Sequence, residues 1–339
     1  MATRPIVRRS AVSVFSGADL TGRTLPLLEI SSPRKGPLLW LTAAVHGDEV
    51  TGIEVIHRLF ELLPRLAWKG RIKAIACVNP SAFGFSQRRV PIGGDDMNRL
   101  FPGDPTGSVA QRTAHAAFTA IRDDAPVAHL DLHTDSVMSV PYAILDRALT
   151  SAVRPQLAIA EALAIAGGLD VLFDWPLAEY RKLHLDRSLS GAVLNQARIP
   201  SFTMELGPTR VAEERFVKAG LAAVCAAMRE LDMLGADQGP PTPPRRREPR
   251  RFRLPGLTIN HVGLLRFAVL PGDDVQAGAK IATLVDLTGA PLETVLAPLP
   301  GRVISLAERT CGHPGMTVAT LAVEEGLPAK AGPRRTRRG

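Results

Sequence analysis

Between residues 37 and 234, short apolar runs alternate with longer stretches of helical period, and this alternation constrains the fold more than any other feature of the sequence. The apolar runs are typical of buried strands and cover 37–45, 71–78, 125–132, 141–146 and 199–206. The intervening stretches repeat apolar residues at i, i+3 and i+4 and predict helices over 49–63, 106–123, 151–167 and 210–234. Strands alternating with helices predict an α/β domain whose mostly parallel sheet is flanked by helices.

The alternation stops at residue 235, and the chain is predicted to divide there. Segment 235–250 is rich in Pro, Gly and Arg without periodicity, so it is interpreted as a linker. Residues 251–325 contain short β-type runs separated by turn sequences and predict an all-β domain. Residues 326–339 are expected to form a disordered basic tail. The predicted organisation is therefore an α/β domain over 1–234, a linker over 235–250, a β-domain over 251–325 and a tail over 326–339.

The formal net charge of +8 is concentrated in two short segments. Residues 245–253 contain six Arg and one Glu, and residues 326–339 contain four Arg and one Lys without an acid. The remaining chain is close to neutral. Such runs are typical of solvated linkers and tails. The aromatic content of 5% also disfavours a surface on which bases stack. We therefore expect no nucleic-acid partner.

The cysteines and the apolar runs restrict the cellular setting. Cys77, Cys225 and Cys311 are far apart, which indicates neither a disulfide framework nor a Cys-ligated zinc site. The first twenty residues lack the apolar core of a signal peptide. No run approaches the ~18 apolar residues of a membrane span. We expect a cytoplasmic protein without a membrane partner, and the sequence leaves a homo-oligomer open.

Polar residues follow four of the predicted strands at their carboxyl ends. In open α/β sheets, binding sites form in the crevice beyond these ends. Side chains located there are expected to converge even when they are far apart in sequence. The residues concerned are His46 and Glu49, Asn79, Asp131 and His133, and Glu205.

His46, Glu49 and His133 are the candidate metal ligands. The H-x-x-E spacing of His46 and Glu49 allows both side chains to point to one side of a helical turn. A distant His133 would complete a three-ligand zinc site with a fourth position for water. Asp131 lies on the same strand face as His133 and could orient an imidazole, directly or across a neighbour. Alternatively, His46 is a loop residue, Glu49 is a helix N-terminal acid that complements the helix dipole, and His133 is a hydrogen-bonded core histidine. The polar ends of the other strands favour zinc.

Glu205 is the candidate general base. Hydrolysis at a zinc site needs a group that takes a proton from water and passes it to the leaving amine. Glu205 lies at the end of an otherwise apolar strand, and its carboxylate is the candidate for this group. The alternative is a capping or salt-bridged carboxylate at a strand terminus.

The segment 79–103 is long, rich in Gly and Pro, and contains several Arg and Asn residues. Loops of this length in a compact domain are usually functional. Arg88 or its neighbour Arg89 could polarise a scissile carbonyl. Asn98 and Arg99 could hold a substrate carboxylate. The alternative is a set of solvated loop arginines.

Taken together, these motifs resemble the succinylglutamate desuccinylase/aspartoacylase family, whose fold is similar to that of the zinc carboxypeptidases. The motifs are HGDE (46–49), NP (79–80), Arg88, DMNRLFPGDP (96–105), DLHT (131–134) and MELG (204–207). The resemblance covers roughly 37–325. It implies a mixed sheet flanked by helices, one zinc per subunit held by His46, Glu49 and His133, and Glu205 as base and then acid.

The resemblance also implies roles in the Arg-containing loop. Arg88 would contact the amide carbonyl, an assignment that depends on its position nine residues after Asn79, and Arg89 remains the alternative. Asn98 and Arg99 would contact the substrate carboxylate. Arg181, His184 and Arg187 in segment 174–190 are further polar candidates without an assigned role.

The β-domain over 251–325 resembles the family's C-terminal barrel-sandwich domain, which covers the cleft. It is also similar to biotinyl and lipoyl domains, but it lacks a Lys near the ETVLAP hairpin and so is not expected to be a carrier. Aspartoacylases place a substrate-contacting Tyr in this domain, whereas 251–325 contains no Tyr. This departure argues against N-acetylaspartate as the substrate. Bacterial branches of the family hydrolyse varied N-acyl amino acids, acetyl-diaminobutyrate among them.

The predicted function is zinc-dependent hydrolysis of the amide bond in a small N-acyl amino acid or related carboxylate. The alternative is a metallocarboxypeptidase that acts on peptide C-termini with the same side chains. Neither the acyl group nor the amine is specified by the sequence.

Overall fold

This computed structural model describes residues 5–18, 20–136, 138–241, 244 and 251–324, and of residues 255 and 256 only the backbone. The chain divides into two compact units. The first is formed by Met1–Asp135 and Pro141–Arg247, and the second by Ser136–Val140 and Glu248–Gly339. The Arg-rich part of the predicted linker, 245–250, and the predicted tail, 326–339, lie outside the described residues.

The helices and strands are numbered in chain order. The helices are α1 Thr51–Leu62, α2 Pro80–Gly84, α3 Val109–Asp124, α4 Arg154–Ala166, α5 Leu177–Lys182, α6 Leu189–Asn195 and α7 Glu214–Glu230. The first strands are β1 Ile6–Ser16, β2 Gly22–Ser31, β3 Leu38–Ala43, β4 Arg71–Ile75, β5 Ala128–His133, β6 Met138–Ser139, β7 Tyr142–Leu145, β8 Asp170–Phe173 and β9 Ser201–Glu205. The remaining strands are β10 Arg251–Thr258, β11 Gly263–Phe267, β12 Asp274–Val275, β13 Lys280–Val285, β14 Pro291–Leu296, β15 Gly301–Leu306, β16 Cys311–Gly312 and β17 Thr317–Glu324.

The sheet of the first unit has the strand order β1-β2-β4-β3-β5-β9-β7-β8. Its centre, from β4 to β9, is parallel. The β1-β2 hairpin and the β7-β9 pair are antiparallel, whereas β8 runs parallel to β7. The predicted mixed sheet is therefore confirmed, and β1, β2 and β8 are added to the predicted strands. Every residue of β3 is buried, as expected for a central parallel strand covered on both faces.

Helices cover the two faces of this sheet. Trp40 in β3 belongs to a buried cluster with residues of α3 and α6. Gly52 in α1 packs against Ala43 and Leu132. Because successive strand residues point to opposite faces, α1 lies on the face opposite α3 and α6. Asp131 and His133 project from the α6 side of β5, between the Leu residues that face α1.

The second unit is an antiparallel sandwich. One sheet has the order β10-β17-β15-β12, with β6 paired to β15, and the other has the order β14-β13-β11-β16. Apolar side chains of both sheets, including Leu284 and Leu321, form one buried cluster. The predicted C-terminal all-β fold is confirmed. No helix in the part of the chain that the structure describes is long and apolar enough to cross a membrane.

Candidate metal centre

A tight turn between β3 and α1 positions the HGDE sequence. Ala44 adopts a left-handed conformation with φ of 49°, and it redirects the chain after β3. Gly47 then passes so close to α2 that a Cβ would lie 2.1 Å from backbone atoms of Ala82 and Phe83. Only Gly fits at such a distance, because a side chain would force the turn and the helix apart.

Asn79, one of the polar strand-end residues, fixes this turn from the side. Its Nδ2 donates to the carbonyl of Val45 at 3.2 Å, and its Oδ1 accepts from the N–H of Ala82 at 3.2 Å. The backbone N–H of Asn79 also donates to the carbonyl of Ala44 at 3.0 Å. These contacts account for the Asn-Pro pair as a support of the HGDE turn.

His46, Glu49 and His133 form a compact buried cluster. Nδ1 of His46 lies 2.7 Å from Oε1 of Glu49, and Nδ1 of His133 lies 2.7 Å from Oε2. One ligand atom from each residue falls within 4.8 Å of the others. Imidazole nitrogens that face a carboxylate are stabilised by a nearby positive charge, which a proton on Nδ1, a metal ion or, at His46, the Arg88 guanidinium 3.2 Å from Nδ1 can supply. The cluster could hold a metal ion.

The opposite nitrogen of each imidazole contacts its own carboxylate. Nε2 of His46 lies 3.1 Å from Oδ1 of Asp96, and Nε2 of His133 lies 3.0 Å from Oδ2 of Asp131. Because a carboxylate only accepts, each Nε2 carries a proton and donates it. In this arrangement the Nδ1 atom of each imidazole faces Glu49 and could coordinate a metal ion, as in histidines that bind zinc.

Electrostatics favours the charged forms within this cluster. Burial opposes ionisation of Glu49, but His46 and His133 outweigh it and hold the pKa of Glu49 well below its ordinary value. The pKa of Asp131 is likewise lowered, since His133 outweighs the effect of burial. Burial alone would lower the pKa of His133, yet Asp131 and Glu49 raise it well above its ordinary value. The negative charge that surrounds the imidazoles is suited to a cation.

The two neighbouring arginines of the loop differ in position. Nη1 of Arg88 lies 3.4 Å from Oε1 of Glu49, and Nη2 lies 3.2 Å from Oδ2 of Asp96. The guanidinium is half-exposed, so one side remains available to a ligand. Arg89 instead donates from Nη1 to the carbonyl of Gly94 at 2.9 Å. Of the two alternatives, Arg88 lies beside the candidate ligands.

Glu205 ends β9 and pairs in register with His133 at the end of β5. Residues paired in neighbouring parallel strands have side chains on the same face, so Glu205 and His133 project from the same side of the sheet. Glu205 is half-buried. Burial lowers the pKa of Arg88, but the carboxylates of Glu49, Asp96 and Glu205 outweigh this effect and raise that pKa above its ordinary value.

Asn98 and Arg99 follow Asp96 in a short helical turn. Oδ1 of Asn98 accepts from the N–H of Leu189 at 2.8 Å, which fixes the side chain and directs its two amide donors away from that contact. Nη1 of Arg99 donates to the carbonyl of Asn98 at 2.7 Å. Arg99 is also among the cations that lower the pKa of Asp96 against the effect of burial.

The residues without an assigned role lie elsewhere. The side chains of Arg181, His184 and Arg187 are exposed, and none of the described hydrogen bonds or ion pairs joins them to the candidate ligands. The sequence interpretation gave no role to Asp96, which contacts both His46 and Arg88. The feature of the sequence that could have indicated a role for Asp96 is its position two residues before Asn98, in a Gly-rich loop.

Comparison with known proteins identifies the first unit. Residues 35–231 match the model of the succinylglutamate desuccinylase/aspartoacylase catalytic domain. The chain is 26% identical over 273 residues to the N-α-acetyl-L-2,4-diaminobutyric acid deacetylase of Halomonas elongata, in an alignment that covers 75% of this chain and 72% of the relative.

Solved structures share the fold. A succinylglutamate desuccinylase/aspartoacylase from Rhodobacter sphaeroides superposes with a TM-score of 0.77 at 23% identity and covers 95% of each chain. The product-bound ectoine utilization protein EutE (DoeB) from Ruegeria pomeroyi superposes with a TM-score of 0.78 at 22% identity, covering 95% of this chain and 97% of that one. At these identities the likeness concerns the fold.

Proposed function

Because the chain belongs to the succinylglutamate desuccinylase/aspartoacylase family, we propose that it is a zinc-dependent deacylase that hydrolyses the amide bond of a small N-acyl amino acid. The observation that carries the proposal is the convergence of two imidazole Nδ1 atoms on the two oxygens of Glu49. The family supplies the reaction class, deacylation. The metal, the residue roles and the substrate are the proposed parts.

The donor set fits zinc. Two neutral imidazoles and one carboxylate are the protein ligands of many catalytic zinc sites, which keep one position for water. The carboxylates of Asp96 and Asp131 would hold the imidazoles in the ligating tautomer. When bound, zinc supplies a Lewis acid that polarises the scissile carbonyl and lowers the pKa of water. We expect one zinc per subunit, held by His46, Glu49 and His133.

Arg88 and Glu205 would perform the remaining chemistry. The exposed side of the Arg88 guanidinium would donate to the carbonyl oxygen as negative charge develops on it. The Glu205 carboxylate would take one proton from the attacking water while the oxygen bonds to the carbonyl carbon. The same proton would pass to the amide nitrogen as the C–N bond breaks. The products are a carboxylate from the acyl group and a free amine.

Asn98 and Arg99 are the proposed contacts for the substrate carboxylate. The amide donors of Asn98 and the guanidinium of Arg99 can both bind an anion, and a carboxylate is the group that an N-acyl amino acid always retains. Oδ1 of Asn98 is already bonded to Leu189, so the side chain can only donate to a ligand. This polarity suits a carboxylate better than an amine.

The substrate class follows the relative's chemistry. The Halomonas relative is a deacetylase of an N-acetylated diamino acid. By analogy, we propose an N-acetyl amino acid or a comparable small N-acyl amino acid as the small-molecule partner, without nucleic acid or membrane. Neither the acyl group nor the side chain of the amino acid is specified by the residues described above.

A combined metal and substrate assay tests the proposal. The purified protein is stripped with a chelator, reconstituted with zinc and assayed against N-acetyl, N-succinyl and N-formyl amino acids and against short peptides with a free C-terminus. We expect about one zinc per chain and hydrolysis of an N-acyl amino acid that depends on the metal. Full activity in the stripped protein would overturn the zinc assignment. Preferential hydrolysis of peptides would instead identify a carboxypeptidase.

A further inference from the structure

A row of buried polar side chains continues from the candidate metal centre into the interior of the first unit. Thr42 on β3, His129 and Asp131 on β5, and Ser201 on β9 all have 0% exposure. Thr42 pairs in register with Asp131, and His129 pairs with Ser201. The parallel register therefore places the four side chains on the same face of the sheet, next to His133.

Hydrogen bonds connect these side chains into one continuous network. Oγ1 of Thr42 donates to Oδ1 of Asp131 at 2.6 Å and lies 2.8 Å from Nε2 of His129. Nδ1 of His129 lies 2.9 Å from Oγ of Ser201. The other oxygen of Asp131 contacts His133. A continuous path thus leads from Ser201 to the imidazole of His133.

The Thr42–Asp131 contact fixes the direction of the hydrogen bond between Thr42 and His129, and the charge state of His129 fixes that of the bond to Ser201. A threonine hydroxyl has one proton, and Thr42 gives it to the carboxylate. Thr42 can then only accept from His129, so Nε2 of His129 must carry a proton. Burial lowers the pKa of His129 to about 4, so the ring is neutral and its Nδ1 accepts from the hydroxyl of Ser201.

We propose that Ser201, His129 and Thr42 are positioning residues that fix the Asp131 carboxylate and thereby hold His133 with Nδ1 toward Glu49. The inference rests on the proposed metal site, since it assigns to this path the orientation of one of the ligands. Each donor points toward Asp131, so the carboxylate receives bonds on both oxygens. A carboxylate held on both oxygens cannot rotate away from His133 without breaking a buried hydrogen bond.

If Thr42, His129 and Ser201 only stabilised the fold, fewer effects would be expected than if they position a metal ligand. Buried polar side chains must be hydrogen-bonded for the fold to be stable, and this requirement alone accounts for the tautomer of His129 but not for any effect on the metal. The proposed role requires both. His129 must be neutral with its proton on Nε2, and removal of the Thr42 hydroxyl must weaken metal binding.

The tautomer is measured on the wild-type protein by nitrogen-15 NMR of labelled histidine, through the two-bond couplings of the ring. We expect His129 as the neutral Nε2–H form near pH 7. His129→Gln identifies the signal, because it is the one that disappears. A neutral Nδ1–H form or an imidazolium at this pH would overturn the proposal, whether or not the protein binds zinc.

Two matched variants test the link to the metal. Thr42→Val removes the hydroxyl with little change in shape, and Thr42→Ser retains it. Zinc affinity is measured by competition with a chromophoric chelator, and the fold is checked by circular dichroism. We expect Thr42→Val to lose about 10-fold or more in zinc affinity, as for other outer partners of zinc ligands, and Thr42→Ser to stay close to wild type.

The outcomes separate this inference from the proposed function. A wild-type protein that binds no zinc contradicts the metal site itself. A wild-type protein that binds zinc, together with a folded Thr42→Val that binds it equally well, contradicts the positioning role alone. If Thr42→Val does not fold, Ser201→Ala and Ser201→Thr form a second pair at the far end of the path. Equal zinc affinity in that pair would overturn the inference, as the wrong His129 tautomer would by itself.

Discussion

Nε2 of His46 lies 3.1 Å from Oδ1 of Asp96, although the two residues are fifty positions apart in the chain. The same carboxylate contacts Nη2 of Arg88 through its other oxygen at 3.2 Å. Asp96 therefore joins a candidate metal ligand to the candidate carbonyl-binding arginine. The loop that contains Asp96 thus contributes a side chain that contacts both a candidate ligand and a candidate catalytic residue.

Asp96→Asn is expected to weaken zinc binding. The amide keeps the shape of the side chain but removes the charge that holds the proton on Nε2 of His46. The loss should be on the order of 10-fold to 100-fold in affinity, measured by chelator competition. Asp95→Asn is the matched control. It removes the same charge one residue away, at a carboxylate that contacts Ser108. Equal affinities for the two variants would contradict the assigned role of Asp96.

Substitution of the two adjacent arginines should separate their roles. Arg88 lies beside Glu49, whereas Arg89 is bonded to the carbonyl of Gly94. We expect Arg88→Ala to lower kcat by about 100-fold to 1,000-fold, as for other groups that stabilise an oxyanion. Arg89→Ala should remain within a few fold of wild type. The measurement is steady-state kinetics on the substrate found in the N-acyl panel, and a greater loss in Arg89→Ala would reverse the assignment.

Glu205→Gln is expected to abolish most of the turnover while the metal is retained. Glutamine cannot take the proton from water, so kcat should fall by about 100-fold or more. The zinc content should stay at the wild-type level, because Glu205 is not one of the proposed ligands. Glu214→Gln, at an exposed position on α7, serves as the control. Loss of zinc from Glu205→Gln would indicate that this residue is a ligand instead of a base.

Asp146 should make the stability of the first unit depend on pH. Burial, with a contribution from Asp174, raises the pKa of Asp146 from its ordinary value of 3.8 to about 7. Between these two pH values the folded chain retains a proton that the unfolded chain releases. The free energy of unfolding should therefore decrease as the pH rises from about 4 to about 7, and this contribution should level off above that range.

Asp146→Asn isolates that contribution. The amide oxygen can still accept from Tyr180, whose hydroxyl donates to Asp146 at 2.8 Å. We expect the variant to become more stable relative to wild type as the pH increases through this window. Urea unfolding followed by tryptophan fluorescence is suitable, because Trp40, Trp68 and Trp175 all lie in the first unit. The prediction would be contradicted if the difference in free energy of unfolding between Asp146→Asn and wild type stayed constant with pH. It would also be contradicted if the exposed Asp123→Asn showed the same pH dependence.

The elements that the sequence predicted best are those with strong apolar periodicity. The fully buried β3 and the amphipathic α1, α3 and α7 occur where the pattern indicated them. The hairpin of β1 and β2 was not predicted. Most side chains of β1 are exposed and only Val12 and Val14 near its end pack against the core, so the apolar alternation is too short to predict this edge strand.

Sequence alone determined the residue types and spacing of the candidate ligands and their positions at strand ends. The physical reason is that apolar runs define the strands, and the polar residues that follow these runs fall at one edge of the sheet. Only the tertiary structure decided which loop groups reach them. The contact of Asp96 with His46, the placement of Arg88 instead of Arg89, and the pairing of Thr42 with Asp131 depend on loop conformation and strand register. These are set by packing between segments distant in sequence, which no local pattern encodes.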